Sequence, residues 1–224
     1  MADTARPRLR WYRDFLLWQS LFLVLLLILC GWFGVKMEQA DKQKTAVEEI
    51  ENMGGTVWRD YQFDVSGNEI SGAEPPGDPW LRRLLGDDFF MNVVKLDLTR
   101  TEITDAGLEH LDWLPHLRSL SLGERITDAG LVHLQGLPQF HTLNLRATKV
   151  ADAGLAHLQG LPRLQSLYLG ERITDAGLVH LQALPQLHTL NLRATKVTGA
   201  GIKGLQEALP NCTIYWTPPT PPAR

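Results

Sequence analysis

The sequence predicts an α/β solenoid, a stack of short strand–helix units, set behind a single transmembrane helix. Three observations carry this. Residues 123–150 (GERITDAGLVHLQGLPQFHTLNLRATKV) recur as residues 170–197, and only Gly136/Ala183 and Phe140/Leu187 differ across the 28 positions. Segments of the pattern L-x-x-L-x-L return at a near-constant period, the mark of a stackable unit. An uncharged run of 21 residues, 15–35, lies near the N-terminus.

Residues 1–14 form a basic leader with four Arg and two Asp. The apolar run 15–35 (FLLWQSLFLVLLLILCGWFGV) follows, and as a helix it measures roughly 32 Å, the hydrocarbon thickness of a bilayer. Trp11, Tyr12 and Trp18 stand near one end, with Trp32 and Phe33 near the other, as suits membrane–water interfaces. Arg6, Arg8, Arg10 and Arg13 precede the run; Lys36, Lys42 and Lys44 follow it. That bias favours a cytoplasmic N-terminus and an extracytoplasmic C-terminal bulk, in the periplasm of a two-membrane cell. No small-x-small cleavage site precedes Lys36, and Leu29 stands before Cys30 where a lipidation signal wants a small residue.

Residues 36–55 read as a membrane-proximal helix with one narrow apolar edge (Ala40, Val47, Ile50, Met53), stopped by Gly54-Gly55. Residues 56–91 read as an N-terminal cap. Within it, 56–65 alternates as a strand and 66–79 is a Gly/Pro-rich loop. WLRRLLGDDFF (80–90) follows at helical spacing, with the expected task of covering the first apolar edge of the stack.

The repeats occupy 92–216. Five strand segments align: VVKLDL (93–98), LRSLSL (117–122), FHTLNL (140–145), LQSLYL (164–169) and LHTLNL (187–192). Their last leucines are spaced 24, 23, 24 and 23 residues apart, and CTIYW (212–216) makes a shortened sixth strand. After each full strand come an Ile or Val, a Thr/Asp helix N-cap, two apolar residues at i, i+3, and a closing Leu-Pro. Residues 217–224 (TPPTPPAR) form a Pro-rich flexible tail.

This pattern resembles the leucine-rich-repeat family. It is most similar to bacterial T-x-I-T-D-A-G-L-x-x-L units and to repeats of F-box-associated ubiquitin-ligase adaptors. With its leader, span and cap, the chain resembles bacterial membrane-anchored proteins of this kind. The resemblance implies a curved parallel sheet with short convex helices and binding through the concave strand face. One departure stands out: Thr101, Thr148 and Thr195 occupy the corner where the family commonly has Asn or Cys, and the GERIT turns are one residue shorter.

On that face the outward positions are mostly small and polar. The candidate partner-binding residues are Asp97, Asn144, Arg146, Tyr168, Asn191 and Arg193. Arginine suits bidentate anion contacts, and Arg and Tyr are enriched at binding hot spots. Against this, copying alone accounts for the recurrence of Arg146 and Arg193, and Glu124 and Glu171 stand near enough in sequence to pair with them.

No phosphate loop, dinucleotide fingerprint, nucleophile elbow or HExxH motif is present, so the chain reads as a non-enzyme without cofactor. His110, His133, His157 and His180 recur at one position, which spreads them in a row and does not converge them on a metal. The net charge of −3 carries no basic excess for nucleic acid. Cys30 and Cys212 lie too far apart to imply a disulfide framework. The expected function is a membrane-anchored protein–protein interaction module, held to membrane lipid through 15–35, its protein partner unidentified. An anionic glycan or cell-wall polymer is the second candidate ligand. A ubiquitin-type substrate adaptor is the third role; it lacks a recognisable F-box and sits badly with a membrane span.

Overall fold

The computed structural model describes residues 8–64 and 67–218. Of the sequence expectations, the first seven residues of the leader and the end of the tail, 219–224, lie outside the described residues. So do Val65 and Ser66, the end of the strand expected at 56–65.

Seven strands lie side by side in sequence order: β1 (Thr56–Arg59), β2 (Val93–Asp97), β3 (Ser119–Ser121), β4 (Thr142–Asn144), β5 (Ser166–Tyr168), β6 (Thr189–Asn191) and β7 (Thr213–Tyr215). β1 runs antiparallel to β2, and every later pair is parallel. The register follows the repeat: Leu96, Leu120, Leu143, Leu167, Leu190 and Ile214 form one rung line. The first five of these are fully buried, in one continuous core with the convex-side leucines. A single unit buries too few leucines, at ~1.5–3 kcal/mol each, to offset ~1–2 kcal/mol of backbone entropy per residue, so the units hold only as a stack.

The convex side is tighter than a row of α-helices. Asp105–Trp113, Asp128–Leu134 and Asp152–Gly160 are 3₁₀-helices, while α3 (Asp175–Leu181) and α4 (Gly199–Ala208) are α-helical. A 3₁₀ turn eclipses positions i and i+3, so pairs such as Leu108/Leu111 and Leu155/Leu158 both face the sheet.

The alternating 24- and 23-residue spacing has a physical cause. In the longer turns a buried threonine hydroxyl donates to the carbonyl three residues back: Thr101 to Leu98 (2.9 Å), Thr148 to Leu145 (2.8 Å) and Thr195 to Leu192 (2.7 Å). In the shorter turns Gly123 and Gly170 take the strand-end position. A Cβ on Gly123 would stand 2.7 Å from the Leu98 carbonyl oxygen, and one on Gly170 would stand 2.6 Å from that of Arg146. The backbones therefore approach too closely for any side chain.

The T-D-A-G motif joins unit to unit. Asp105 accepts from the amide of Thr127 (2.8 Å) and from its hydroxyl (2.5 Å), and Asp152 does the same with Thr174. Asp175 accepts from both groups of Thr198, whereas Asp128 accepts only from the amide of Ala151 (2.7 Å). The motif glycine of the following unit, such as Gly130 over Asp105, leaves room for each carboxylate.

The first end of the stack is covered by a segment other than the expected 80–90. The apolar run and the expected membrane-proximal helix are one continuous α1 (Arg8–Asn52). Its C-terminal part covers the first edge: Ala46, Val47 and Ile50 are buried in the common core, and Gln43, also buried, donates to the Met91 carbonyl (2.8 Å) and to Asp88 (3.1 Å). Gly54, at φ 85°, ends α1; its amide donates to the Glu51 carbonyl and that of Gly55 to Ile50. Of the expected apolar edge, Ala40, Val47 and Ile50 are buried and Met53 is exposed.

The segment 80–90 does not take the covering role. It forms α2 (Pro79–Leu85) and a 3₁₀ turn at Asp87–Phe89, none of whose residues is buried. Trp80 and Leu84 are 64% and 70% exposed. The reason is competition: α1, whose Ala46, Val47 and Ile50 lie in the core, already occupies the edge. β1 is also shorter than the alternation suggests and turns at Arg59 into a 3₁₀ turn, Asp60–Gln62. At the other end, Trp216 packs on the core and its indole donates to the Val197 carbonyl (2.9 Å).

Leu21 to Leu29, with Trp32 and Phe33, are exposed on α1. The helix is long and apolar enough to cross a membrane, and none of its most apolar stretch is buried in the protein.

Candidate functional site

Strand side chains alternate, so the residues flanking the buried rung line point away from the core. They form two rows across the sheet. One is Lys95, Ser119, Thr142, Ser166, Thr189 and Thr213; the other is Asp97, Ser121, Asn144, Tyr168, Asn191 and Tyr215.

The second row contains four of the candidates, and they divide by what they touch. Asp97 accepts from the amide (2.9 Å) and hydroxyl (2.6 Å) of Thr99. Asn144 accepts from the amide of Arg146 and Asn191 from that of Arg193, each at 3.2 Å. Asn191 is itself buried. These three side chains fasten the turn that leaves each strand. In doing so they set the direction of the residue two positions on.

At two of those positions stand Arg146 and Arg193, both exposed. The Arg146 guanidinium lies 4.9 Å from the ring centre of Tyr168 on the next strand, and that of Arg193 lies 5.3 Å from Tyr215. Neither arginine forms an ion pair with Glu124 or Glu171 among the described residues. A third pair stands at the other end, with Lys95 Nζ 4.3 Å over the Trp58 ring. Each such contact contributes ~0.5–1 kcal/mol at an exposed site, which holds the cation in place while leaving its outer donors open to a ligand.

Tyr215 and Trp58 belong to this surface and are not recognised as functional in the sequence. A signal for Tyr215 exists. It follows Tyr168 by the same 47 residues that separate Arg146 from Arg193, in a stretch where most positions have diverged between the two units. Trp58 carries no such signal, because only the antiparallel pairing of β1 with β2 sets it opposite Lys95.

Beside the start of the strands lies a cleft of about 540 Å³, lined among others by Asp60, Lys95, Arg118, Ser119, His141 and Thr142. The Nδ1 of His141 is buried there without a hydrogen-bond partner among the described residues. The histidine column His110, His133, His157 and His180 stays on the convex helices. No group of three metal-ligating side chains converges among the described residues. Cys30 is exposed and Cys212 buried, both as free thiols; burial raises the Cys212 thiol above its ordinary pKa.

A family model described as "Leucine Rich repeat" matches residues 91–111. No curated protein matches the chain. Among solved structures, an internalin (inlF) of Listeria monocytogenes is similar at 22% identity and a TM-score of 0.45, over 55% of this chain and 34% of its own. An internalin C2 (inlC2) of the same species is similar at 28% identity and a TM-score of 0.43, over 54% of this chain and 50% of its own. The chain thus spans between a third and a half of the length of these structures. The matched repeat lies in the first unit, and the strand, corner and convex helix of that unit recur in the units that follow, which is the architecture of a leucine-rich-repeat solenoid.

Proposed function

We propose that this chain is a membrane-anchored, non-catalytic module that binds a protein partner across its concave face, with Arg146–Tyr168 and Arg193–Tyr215 as the anchors. The observation that carries the reading is the pair of stacked, exposed arginines, each aimed by an asparagine and each resting on a tyrosine of the next strand. Leucine-rich repeats generally bind proteins, and Arg and Tyr are the residue types that dominate interface energetics. The exposed apolar part of α1 supports anchoring, and the arginine-rich leader supports a cytoplasmic N-terminus with the repeats outside the cytoplasm.

An anionic glycan or wall polymer is the second reading. It is favoured by two guanidinium groups without carboxylate partners among the described residues, beside rows of hydroxyls. One experiment tests both. In-cell cross-linking with mass spectrometry is compared between the native chain and the Arg146→Ala/Tyr168→Ala/Arg193→Ala variant. Loss of two or three hot-spot side chains lowers capture of a specific protein more than about 30-fold. Unchanged capture by a folded variant sinks the concave-face reading. Capture of polymer that collapses between about 0.05 and 0.5 M salt, with no protein cross-link, favours the second reading.

A further inference from the structure

We propose that α2 is an interfacial element whose exposed face, Trp80, Arg83 and Leu84, rests in the headgroup layer of an anionic bilayer and holds the first end of the solenoid against the membrane. This rests on reading residues 15–35 as a span.

The face is set by helix geometry. Positions 80, 83 and 84 share one side of α2 at i, i+3 and i+4, and all three are exposed, whereas Leu81, Arg82 and Leu85 are half-buried toward the body. A large aromatic, an aliphatic and a cation together on a solvent face are costly as a water-exposed surface, and they match the chemistry of an amphipathic helix lying in a membrane interface. Trp favours the headgroup level, and Arg extends its guanidinium toward lipid phosphate.

The position of this face relative to α1 names the occupant. Phe33, within the apolar run, lies tilted against Phe89 with ring centres 5.4 Å apart, and Phe89 meets Phe90 edge-to-face at 5.0 Å. The turn that follows α2 therefore begins at the edge of the span itself. Gln43, eight residues past the run and so roughly 12 Å beyond it along the helix, is bonded to Asp88 and Met91. A recess between α1 and α2 holds Lys44, Arg82 and Arg83 with Asp87 and Asp88. Since α1 is unbroken from Arg8 to Asn52, there is no hinge to carry this end away from the bilayer. Phe89 thus ties the turn after α2 to the end of the apolar run, and the recess beside Lys44 sets α2 and its arginines just outside that run.

The test uses the full chain in phosphatidylcholine vesicles with or without phosphatidylglycerol. A fluorophore is attached to Leu84→Cys or to Val179→Cys, each in a Cys30→Ser/Cys212→Ser background. Val179 is an equally exposed side chain on the convex helix α3. A headgroup-linked nitroxide lipid should quench the label at 84 about threefold more than the label at 179 in anionic vesicles, as expected of a face seated in the headgroup layer. The excess should fall in neutral vesicles and in Arg83→Glu. Equal quenching at 84 and 179, or an excess indifferent to both lipid charge and Arg83→Glu, overturns the proposal. A label on the native Cys30 with an acyl-chain nitroxide reports the span separately. Quenching at Cys30 with none at 84 refutes the interfacial role alone, and no quenching at Cys30 refutes both.

Discussion

At the scale of single residues, the aspartate at the head of each of the first four convex helices does two jobs. It sits in the first helical turn, where its charge opposes the helix dipole, and it accepts from the next unit's capping residue. Three of the four junctions use both amide and hydroxyl; the Asp128 junction lacks the hydroxyl because Ala151 stands where the others have threonine. Ala151→Thr should therefore complete the junction. A stabilisation of about 1 kcal/mol is expected, seen as a higher urea midpoint with unchanged slope. No gain would mean that the hydroxyl bonds at the other junctions contribute nothing net. The capping chemistry of these residues was legible in the sequence. Their reach into the neighbouring unit was not, since it depends on the distance between stacked helices.

At the scale of elements, a half-buried histidine beside the junction of α1 and the first unit makes stability depend on pH. His116, just after the Leu-Pro that closes the first convex helix, has its pKa lowered from the ordinary 6.5. Burial is the largest cause, followed by Lys36 of α1; Asp60 acts the other way. A histidine held neutral in the fold binds its proton more readily when unfolded. Its effect is thus absent above pH 6.5, and stability falls as pH drops below 6.5 toward the lowered folded value. His116→Gln should flatten the urea midpoint between about pH 7 and 5 relative to the native chain. Equal slopes in both proteins would place the titration elsewhere. The apolar edge of 36–55 was readable from helical spacing, yet its partner was not. Ala40, Val47 and Ile50 fit any apolar neighbour, and the sequence pattern assigned the first edge of the stack to 80–90.

At the scale of the whole molecule, the helix that carries the apolar run and the solenoid are one body. The helix that carries the apolar run also supplies Ala46, Val47 and Ile50 to the core. A soluble fragment starting at residue 36 should therefore be monomeric and cooperatively folded. One starting at residue 56 loses the cover of the first edge and should aggregate, as measured by sedimentation and thermal melting. Removal of several buried apolar side chains at ~1.5–3 kcal/mol each exceeds the margin of a small domain. A well-folded fragment 56–224 would show that β1 alone closes the stack.

The sequence by itself determined the solenoid, the period of its units, the rung of buried leucines and the apolar run, because periodicity and length carry that information locally. It also pointed to Arg146, Tyr168 and Arg193. Only the tertiary structure decided that Asn144 and Asn191 aim the arginines, that Tyr215 and Trp58 complete the stacked pairs, and that α1, leaving Trp80 and Leu84 exposed, covers the first edge. Those outcomes depend on which surfaces meet across units. Several segments of similar apolar character competed for the same place, and their contest was settled by contacts between residues far apart in the chain.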